Sequence, residues 1–410
     1  MDVLGARVFL GPGAGVAALA FVAAGVALGT ASGLCPGLHV NNLALLLAAV
    51  APAIPGPPHL VGATLLAAGV VHSFLDVVPA LALGVPDAAM AVSALPGHRL
   101  VIAGRGREAV RLSAVGSAAA VALAAPLAVP VTRVMTAVAP VVDAHRGLVL
   151  GAVALGLLAA ERRGRPRRGA AVSLVLSGAL GWLVLDATPG GPLPTGDLLA
   201  PLFAGLFGAP VLLDAMDGGG VPPQGDAAIA VPPRAVGLAA TAGSLAGAVV
   251  AYVPGVSSAI AATGALAGLP DAGDREFLVA TSGVNTANTI FALFALVSLG
   301  APRTGLLVAL DRARVPLNLP LLLAAVALGA CAGVLLVLLL GDRYLEAVGR
   351  RDQRRVSLGV LSLLAGLSAL FGGLVGVGTF VVAAAVGLVP ARTGARRVHL
   401  MGCLLVPLAL

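Results

Sequence analysis

The sequence contains few of the residues that water-soluble proteins and their catalytic sites depend on. Charged residues make up 10% of the 410 residues and aromatic residues 3%, and lysine is absent. Soluble domains carry about 25% charged residues, so this composition excludes a soluble globular protein. The three cysteines are scattered and lack Cys-x-x-Cys spacing, which argues against a disulfide framework and against a metal cluster.

Common catalytic and nucleic-acid-binding signatures are also missing. The chain has no His-Glu-x-x-His motif, no Gly-x-Ser-x-Gly motif and only 6 histidines, so we expect no enzyme. Catalysis by His72 and Asp76 within the membrane stays an open alternative. The formal net charge of +7 comes from 25 basic residues, all arginines, clustered in short loops between apolar segments. Such loops offer no extended basic face, so no nucleic-acid partner is expected.

Apolar sequence dominates what is present. Hydrophobic residues make up 59% of the chain, and its mean hydropathy is +1.03. Runs such as 317–340 and 356–389 reach the roughly 20 residues that a helix needs to cross a hydrocarbon core. We predict an all-α polytopic protein of the cell membrane, with about 10–12 hydrophobic segments of which some are re-entrant. The arginine-rich loops at 161–168 and 350–355 predict the cytoplasmic side.

One pattern occurs twice, with the same spacing between its first two parts and nearly the same spacing to the third. Each copy has a Gly-x-x-x-Gly segment, then a Pro-Gly pair, then a Leu-Gly-x-Pro segment. The copies are Gly25, Gly29, Pro36–Gly37 and Leu83–Pro86, and Gly243, Gly247, Pro254–Gly255 and Leu299–Pro302. Two halves with Gly-Pro breaks in apolar stretches are typical of transporters built from internal repeats. Backbone freed from a helix at membrane depth must be buried in protein or line a water-filled cavity.

These marks predict a division of the chain into five parts. They are a first repeat unit (11–129), middle helices (146–213), a polar linker (214–233), a second repeat unit (234–310) and C-terminal helices (316–410). The linker contains four prolines and a run of three glycines, which makes it the clearest boundary. The sequence leaves open whether the repeats are inverted or parallel.

Polar residues follow both Pro-Gly breaks and form the first candidate site. If a helix restarts after each break, its unpaired N–H groups and its dipole favour an anion there. Simple capping of the two helices is the alternative. The predicted substrate-binding residues are Pro36, Gly37, His39, Asn41, Asn42, Pro254, Gly255, Ser257 and Ser258.

A second candidate site lies between the paired motifs. His72 and Asp76 share one face of an apolar helix, where ionisable side chains are costly and hence functional candidates. They could relay a proton, bind a coupling cation or form a structural hydrogen bond. The corresponding stretch 281–289 is rich in hydroxyl and amide groups, which suit Na⁺ or a polar substrate; an exposed loop is the alternative. The predicted residues for coupling to Na⁺ or H⁺ are His72, Asp76, Asn285, Thr286 and Asn288, with no resident metal or cofactor.

A third group consists of arginines beside glycines, namely Arg99, Arg105, Arg107 and Arg111. Such arginines can bind an anionic ligand through paired hydrogen bonds. They can equally belong to a cytoplasmic loop held by anionic lipid headgroups. Both interpretations stay open at this point.

The segment Gly29–Asn41, which reads GTASGLCPGLHVN, resembles the large permease subunit of tripartite tricarboxylate transporters, the TctA-like family, and in particular its archaeal membrane proteins. The stretch 94–112 and the segments Asn285–Asn288 and Leu299–Pro302 are also similar, in the same order. The resemblance implies transport of small carboxylates driven by an ion gradient. In bacterial systems it also implies a small membrane subunit and an extracytoplasmic binding protein as partners. The sequence departs from the bacterial pattern at 39–42 and 256–258, within the predicted substrate site.

Together these features predict a secondary active permease for small organic anions, di- or tricarboxylates, coupled to Na⁺ or H⁺. Its partners would be the lipid bilayer and the anion, and a homodimer is compatible with the sequence. The main alternative is a translocase for a polyprenyl phosphate or another lipid carrier, which could hold a phosphate with the same groups. A cavity open sideways to lipid would distinguish the translocase from a solute carrier.

Overall fold

The protein is built almost entirely of α-helices in the computed structural model. The model describes residues 2–3, 6–7, 12–36, 38, 40, 43, 47, 56–84, 94–187, 190–193, 198–216, 220–253, 256, 258–267, 273–300, 302 and 304–410. Two antiparallel strands of two residues each, Asp2–Val3 and Ala6–Arg7, precede the first helix.

The helices of the described part are numbered here in chain order. They are α1 (Pro12–Gly33), α2 (Pro58–Leu75), α3 (Val77–Leu83), α4 (Ala94–Ile102), α5 (Gly106–Ala144), α6 (Arg146–Ala159), α7 (Arg165–Val184), α8 (Leu199–Ala215), α9 (Pro233–Tyr252), α10 (Ser258–Ala267), α11 (Asp274–Leu299), α12 (Gly305–Arg312), α13 (Leu319–Gly349), α14 (Gln353–Thr393) and α15 (Arg397–Ala409). Helix α8 includes a π-helical turn at Ala204–Gly208, and α15 begins with a 3₁₀ turn.

Seven helical segments of the described chain are long and apolar enough to cross a membrane. They are α1, the joined α2 and α3, α5, α9, α11, α13 and α14, and three shorter apolar helices are α6, α8 and α15. Helix α14 is 41 residues long and is broken at Gly373 (φ 56°, ψ −143°), so each half has about the length of one span. The prediction of an all-α polytopic membrane protein is confirmed.

The pair α2–α3 lies at the centre of the helix bundle. Every residue from Leu60 to Leu75 and from Val77 to Leu83 is buried, whereas the other spans expose part of their length. Helix α2 packs along α1 and α13, while α11 packs along α9 and α5. Side chains of these helices, among them Phe74 and Phe291, form the largest hydrophobic cluster. A span covered on all sides can hold polar side chains away from lipid.

The Gly-x-x-x-Gly segments bring helix backbones into close contact in both halves. A methyl group at Gly25 of α1 would lie 2.4 Å from the Thr64 carbonyl oxygen of α2, and one at Gly243 of α9 would lie 2.3 Å from the Ala280 oxygen of α11. In each half, the helix before the Pro-Gly break therefore packs through glycine on the long helix after it. The relation of the halves as sequence repeats stays a prediction, as does the five-part division of the chain.

The Leu-Gly-x-Pro segments end helices in both halves. Gly84 ends α3 and Gly300 ends α11, with φ values of 66° and 62°. This left-handed conformation suits glycine, which has no Cβ to clash with the carbonyl oxygen that follows. Both helices therefore stop at a glycine.

A second hydrophobic cluster lies among α6, α7, α8, α15 and the second half of α14. Phe203 and Phe207 of α8 stack with their ring centroids 5.7 Å apart, and Leu150 and Cys403 are fully buried beside them. Ile260 of α10 belongs to this cluster, whereas Ala262 of the same helix packs with Ala246 and Val284. Helix α10, which follows the second Pro-Gly break, is thus held from two sides.

Candidate functional site

A buried polar cluster lies where α2 gives way to α3. Asp76 separates the two helices and keeps a helical conformation (φ −59°, ψ −26°), and its N–H donates to the His72 carbonyl oxygen at 2.8 Å. Pro79 has no N–H and cannot donate to the carbonyl of Leu75 one turn earlier. The helical run from Pro58 to Leu83 is therefore interrupted just before Pro79, and Asp76 lies at this weakened turn of a buried helix.

His72 ties this turn to the end of α1. Its Nδ1 lies 2.9 Å from the Ser32 hydroxyl oxygen, and both side chains are buried, His72 with no exposure at all. Ser32 is also 3.2 Å from the Gly29 carbonyl oxygen and lies one turn before Pro36. The sequence did not point to Ser32, because a lone serine near a helix end usually caps its own helix. Ser32 comes three residues after Gly29, so it lies on the same side of α1 as the glycines that contact α2.

Asp76 also contacts the second half of the chain. The side-chain amide of Asn285 on α11 donates to Oδ2 of Asp76 at 3.1 Å. Asp76 is 4% exposed and Asn285 is 6% exposed. A buried carboxylate is costly unless it is hydrogen-bonded, and the amide supplies a donor without adding a charge. Asn285 is 209 residues from Asp76 in sequence, so the fold brings it to the turn that carries the other two predicted coupling residues, His72 and Asp76.

The remaining polar residues of α11 point to different neighbours. Ser282 lies 2.8 Å from the Ser113 hydroxyl of α5, and the Thr281 hydroxyl donates to the carbonyl of Phe277 in its own helix. The stretch is a buried helix, so its interpretation as an exposed loop is wrong. Ser282 therefore takes part in helix packing, and Thr281 is satisfied within its own helix. The candidate site is limited to the part of the stretch that begins at Asn285.

Two polar atoms at that end have no hydrogen-bond partner within the described residues. They are Oγ1 of Thr286, a residue only 1% exposed, and Oδ1 of Asn288. Leaving such an atom unsatisfied costs about 1–3 kcal/mol. Both oxygens could contribute to a cation or a polar ligand, and they lie on the same helix as the donor to Asp76. No group of three or more His, Cys, Asp or Glu able to hold a metal ion occurs among the described residues.

The break residues are only partly covered by the structure. Pro36 lies in the turn that follows α1, and Ser258 is 4% exposed at the start of α10. A helix therefore does start directly after the second break, and its Ala262 packs against Val284, the neighbour of Asn285. Seven of the predicted substrate residues lie outside the described residues and stay predictions: Gly37, His39, Asn41, Asn42, Pro254, Gly255 and Ser257.

The arginines of the third group are paired with carboxylates. The chain from Ala94 to Ile102 is helix α4. The ion pairs are Arg99 with Asp274, Arg105 with Glu108, Arg107 with Glu346, and Arg111 with Asp342. Three of these pairs link α4 and α5 to the ends of α11 and α13. Each of these four arginines therefore has a carboxylate partner within the protein, although Glu108 is shared with Arg275 and Glu346 with Arg350.

The polar linker is docked beside these pairs. Glu108 is fully buried and accepts hydrogen bonds from Arg275 at 2.8 Å and from the N–H of Ala230 at 2.7 Å. Gln224 accepts from the N–H of Gly106 at 2.6 Å. The linker therefore lies against the start of α5, which the prolines and glycines of its sequence did not predict.

A separate buried carboxylate lies in the arginine-rich loop between α6 and α7. Glu161 accepts hydrogen bonds from the N–H groups of Arg396 and Arg162, both at 3.1 Å, and is 2.9 Å from Nε2 of His399. Burial raises the pKa of Glu161, but these hydrogen bonds outweigh burial and lower the pKa to about 2. Burial lowers the pKa of His399 despite its carboxylate neighbour. This cluster joins the loop to the start of α15.

Comparisons with known proteins bear on the whole of this arrangement. Residues 19–402 match the model of a family described as the tripartite tricarboxylate transporter TctA family. An uncharacterized protein of Methanocaldococcus jannaschii is 24% identical over 350 residues, which cover 84% of this chain and 84% of the relative. No solved structure matches the chain. The family match includes both Pro-Gly breaks and the cluster around Asp76.

Proposed function

Because the chain belongs to the tripartite tricarboxylate transporter TctA family, we propose that it is a secondary active permease for small organic anions, di- or tricarboxylates, coupled to Na⁺ or H⁺. It is a multi-pass membrane protein of a transporter family. The plasma membrane is its proposed location, and transport without chemical conversion is its proposed activity.

The observation that carries the proposal is the contact between Asp76 and Asn285. It joins α2–α3 to α11 at an interrupted turn, inside a span that protein covers on all sides. Ionisable groups held in this way mark ion and proton pathways in membrane proteins. For Na⁺, Asp76 would act with oxygens of Asn285, Thr286 and Asn288. For H⁺, Asp76 would act with His72.

The proposed substrate site is formed by the two breaks. Helix α10 starts at Ser258 directly after Pro254–Gly255, and the N-terminus of a helix favours an anionic group. We expect a corresponding start after Pro36–Gly37. The half-helix ends would bind a carboxylate, and Asn41, Asn42, Ser257 and Ser258 would donate hydrogen bonds to it. The packing of α10 against Val284, which precedes Asn285 on α11, supports a substrate site near the coupling site.

The family description supports two proposed protein partners. They are a small membrane subunit and an extracytoplasmic binding protein, which together with this chain would form the tripartite system. A homodimer stays a prediction from the sequence.

The test is uptake of labelled citrate and succinate into proteoliposomes under imposed Na⁺ and H⁺ gradients. We expect uptake that follows one of the two gradients and stops when an ionophore collapses it. Because the partner subunits could be required, the measurement is repeated with both co-reconstituted. No uptake under any of these conditions, in protein that elutes as a single folded species, would contradict the permease. Flipping of a fluorescent polyprenyl phosphate in the same vesicles would then identify the translocase.

A further inference from the structure

An arginine-lined groove opens where α13 ends and α14 begins. Its volume is about 630 Å³, and its polar side is lined by Arg350, Arg351, Arg355 and the carboxylate of Asp352. Its other side is lined by Val356, Val360 and Leu363 of α14. The groove thus combines a basic end with an apolar wall. None of the residues that line it belongs to the cluster around Asp76.

The basic end has more positive than negative charge. Arg350 lies 3.7 Å from Glu346, but Glu346 already pairs with Arg107 at 2.7 Å. The carboxylate of Asp352 caps α14 by accepting from the N–H of Arg355 at 2.9 Å. No ion pair of Arg351 or Arg355 occurs within the part of the chain that the structure describes. These two guanidinium groups are therefore available to an anion.

The apolar wall extends the basic end into the membrane. Val356, Val360 and Leu363 lie on one face of α14, at spacings of four and three residues. From Val356 to Leu363 the helix rises about 10 Å. Helix α14 is one of the segments able to cross the membrane, so its arginine-rich start lies at the water boundary and the wall continues toward hydrocarbon. A ligand that matches both parts has an anionic head and a hydrocarbon chain.

We propose that this groove binds an anionic phospholipid, with its phosphate between Arg351 and Arg355 and one acyl chain along Val356, Val360 and Leu363. Arginine forms paired hydrogen bonds with phosphate oxygens, and basic residues next to a span attract anionic lipids. Free inorganic phosphate has the same anionic oxygens as the lipid headgroup, but it would leave the apolar wall of the groove uncovered. The site is independent of the proposed transport activity.

The first test removes the charge. Wild type and the variant Arg351→Gln/Arg355→Gln are placed in phosphatidylcholine nanodiscs with increasing phosphatidylglycerol, and bound phosphatidylglycerol is counted by native mass spectrometry. The control Arg343→Gln/Arg354→Gln removes the same charge from two exposed arginines that do not line the groove. We expect binding to weaken about thirtyfold in the groove variant and less than about threefold in the control.

The second test fills the groove without disturbing the fold. A Cβ at Gly359, which also lines the groove, would meet no atom within 4 Å. Gly359→Leu should abolish phosphatidylglycerol binding and keep the wild-type unfolding temperature in detergent. Gly366→Leu is the matched control, since Gly366 lies on the same helix with equally open surroundings and outside the groove. Unchanged lipid binding in Gly359→Leu, or displacement of the lipid by inorganic phosphate alone, would overturn the proposal.

Discussion

The helix pairs α1–α2 and α9–α11 have similar backbone contacts and different buried chemistry. In both pairs a Gly-x-x-x-Gly helix lies against the long helix that follows the Pro-Gly break. A glycine in the left-handed conformation ends α3, which continues α2, and another ends α11. The first pair carries the ionisable residues His72 and Asp76. At its buried polar stretch, α11 of the second pair carries neutral residues such as Asn285 and Thr286.

This difference shows how a polar contact can exist between two apolar halves. Two facing carboxylates at this depth would repel each other, and a carboxylate without a donor would lose its hydration uncompensated. One carboxylate opposite one amide avoids both costs, and the single charge remains able to exchange a cation or a proton. The glycine-mediated helix packing thus occurs in both halves, whereas the ionisable residues lie in the first half and the neutral hydrogen-bonding residues in the second.

The largest expected effect comes from removing the charge on the first half. Asp76→Asn should lower gradient-driven uptake about 100-fold, because coupling to the ion is lost. The measurement is initial uptake in proteoliposomes, with gradient-independent exchange as a second readout. Ser282→Ala is the control, since Ser282 is also polar and buried but contacts Ser113 of α5. Full uptake in Asp76→Asn would exclude Asp76 from coupling.

The double substitution Asp76→Asn with Asn285→Asp tests whether the carboxylate can act from the opposite side of the contact. It moves the charge across the contact and keeps one carboxylate opposite one amide. We expect it to recover part of the lost uptake, whereas Asn285→Asp alone should be as inactive as Asp76→Asn. If the double variant is no better than either single variant, the position of the charge matters and not merely its presence.

The next effect tests whether the two halves pack alike. Gly25→Leu and Gly243→Leu should each destabilise the protein by about 3 kcal/mol, because the added side chain would meet the backbone of the facing helix. Thermal unfolding in detergent, followed by fluorescence-detected gel filtration, measures the loss. Gly15→Leu and Gly237→Leu are controls on the same helices, where a Cβ meets nothing within 4 Å. A large loss of stability in only one of the two variants would show that the two halves do not pack alike.

A smaller effect is expected outside both halves, at Glu161. Its pKa of about 2 lies below the ordinary value of 4.5, so its stabilising contribution is present above about pH 4.5 and is lost as the pH falls toward 2. Glu161→Gln should cost roughly 2 kcal/mol at neutral pH and should flatten the acid side of the stability curve. Unfolding temperatures measured from pH 7 downward test this. An unchanged acid slope in the variant would assign the acid sensitivity to other carboxylates.

The smallest effect is expected at the ion pair between Arg99 and Asp274, which links α4 to α11. Its side chains are 61% and 36% exposed, so solvent screens their attraction, and Arg99→Gln should cost less than about 1 kcal/mol. Any loss should shrink in high salt. Arg275→Gln provides the contrast, because it removes a partner of the fully buried Glu108. Equal, large losses in both variants would show that Arg99 acts in more than a surface pair.

Much of the local structure followed from local patterns. The apolar runs 317–340 and 356–389 predicted spanning helices, which are α13 and α14. Such predictions succeed because helix formation depends on near neighbours in sequence. The contact of Ser282 with Ser113 and the pairing of Arg107 with Glu346 could not be predicted in this way. Such contacts join distant segments, and many partners satisfy a hydroxyl or a guanidinium equally well.

Composition and motifs are enough to identify an all-α membrane protein of the TctA family whose apolar helices are interrupted by polar groups. Backbone N–H and C=O groups must be hydrogen-bonded in hydrocarbon, and long apolar runs meet this requirement as helices. The contact of Asp76 with Asn285, the packing role of Ser282 and the pairing of the α4 and α5 arginines with carboxylates follow only from the tertiary structure. Each of these depends on which helix faces which, and this is set by the summed packing of the whole bundle.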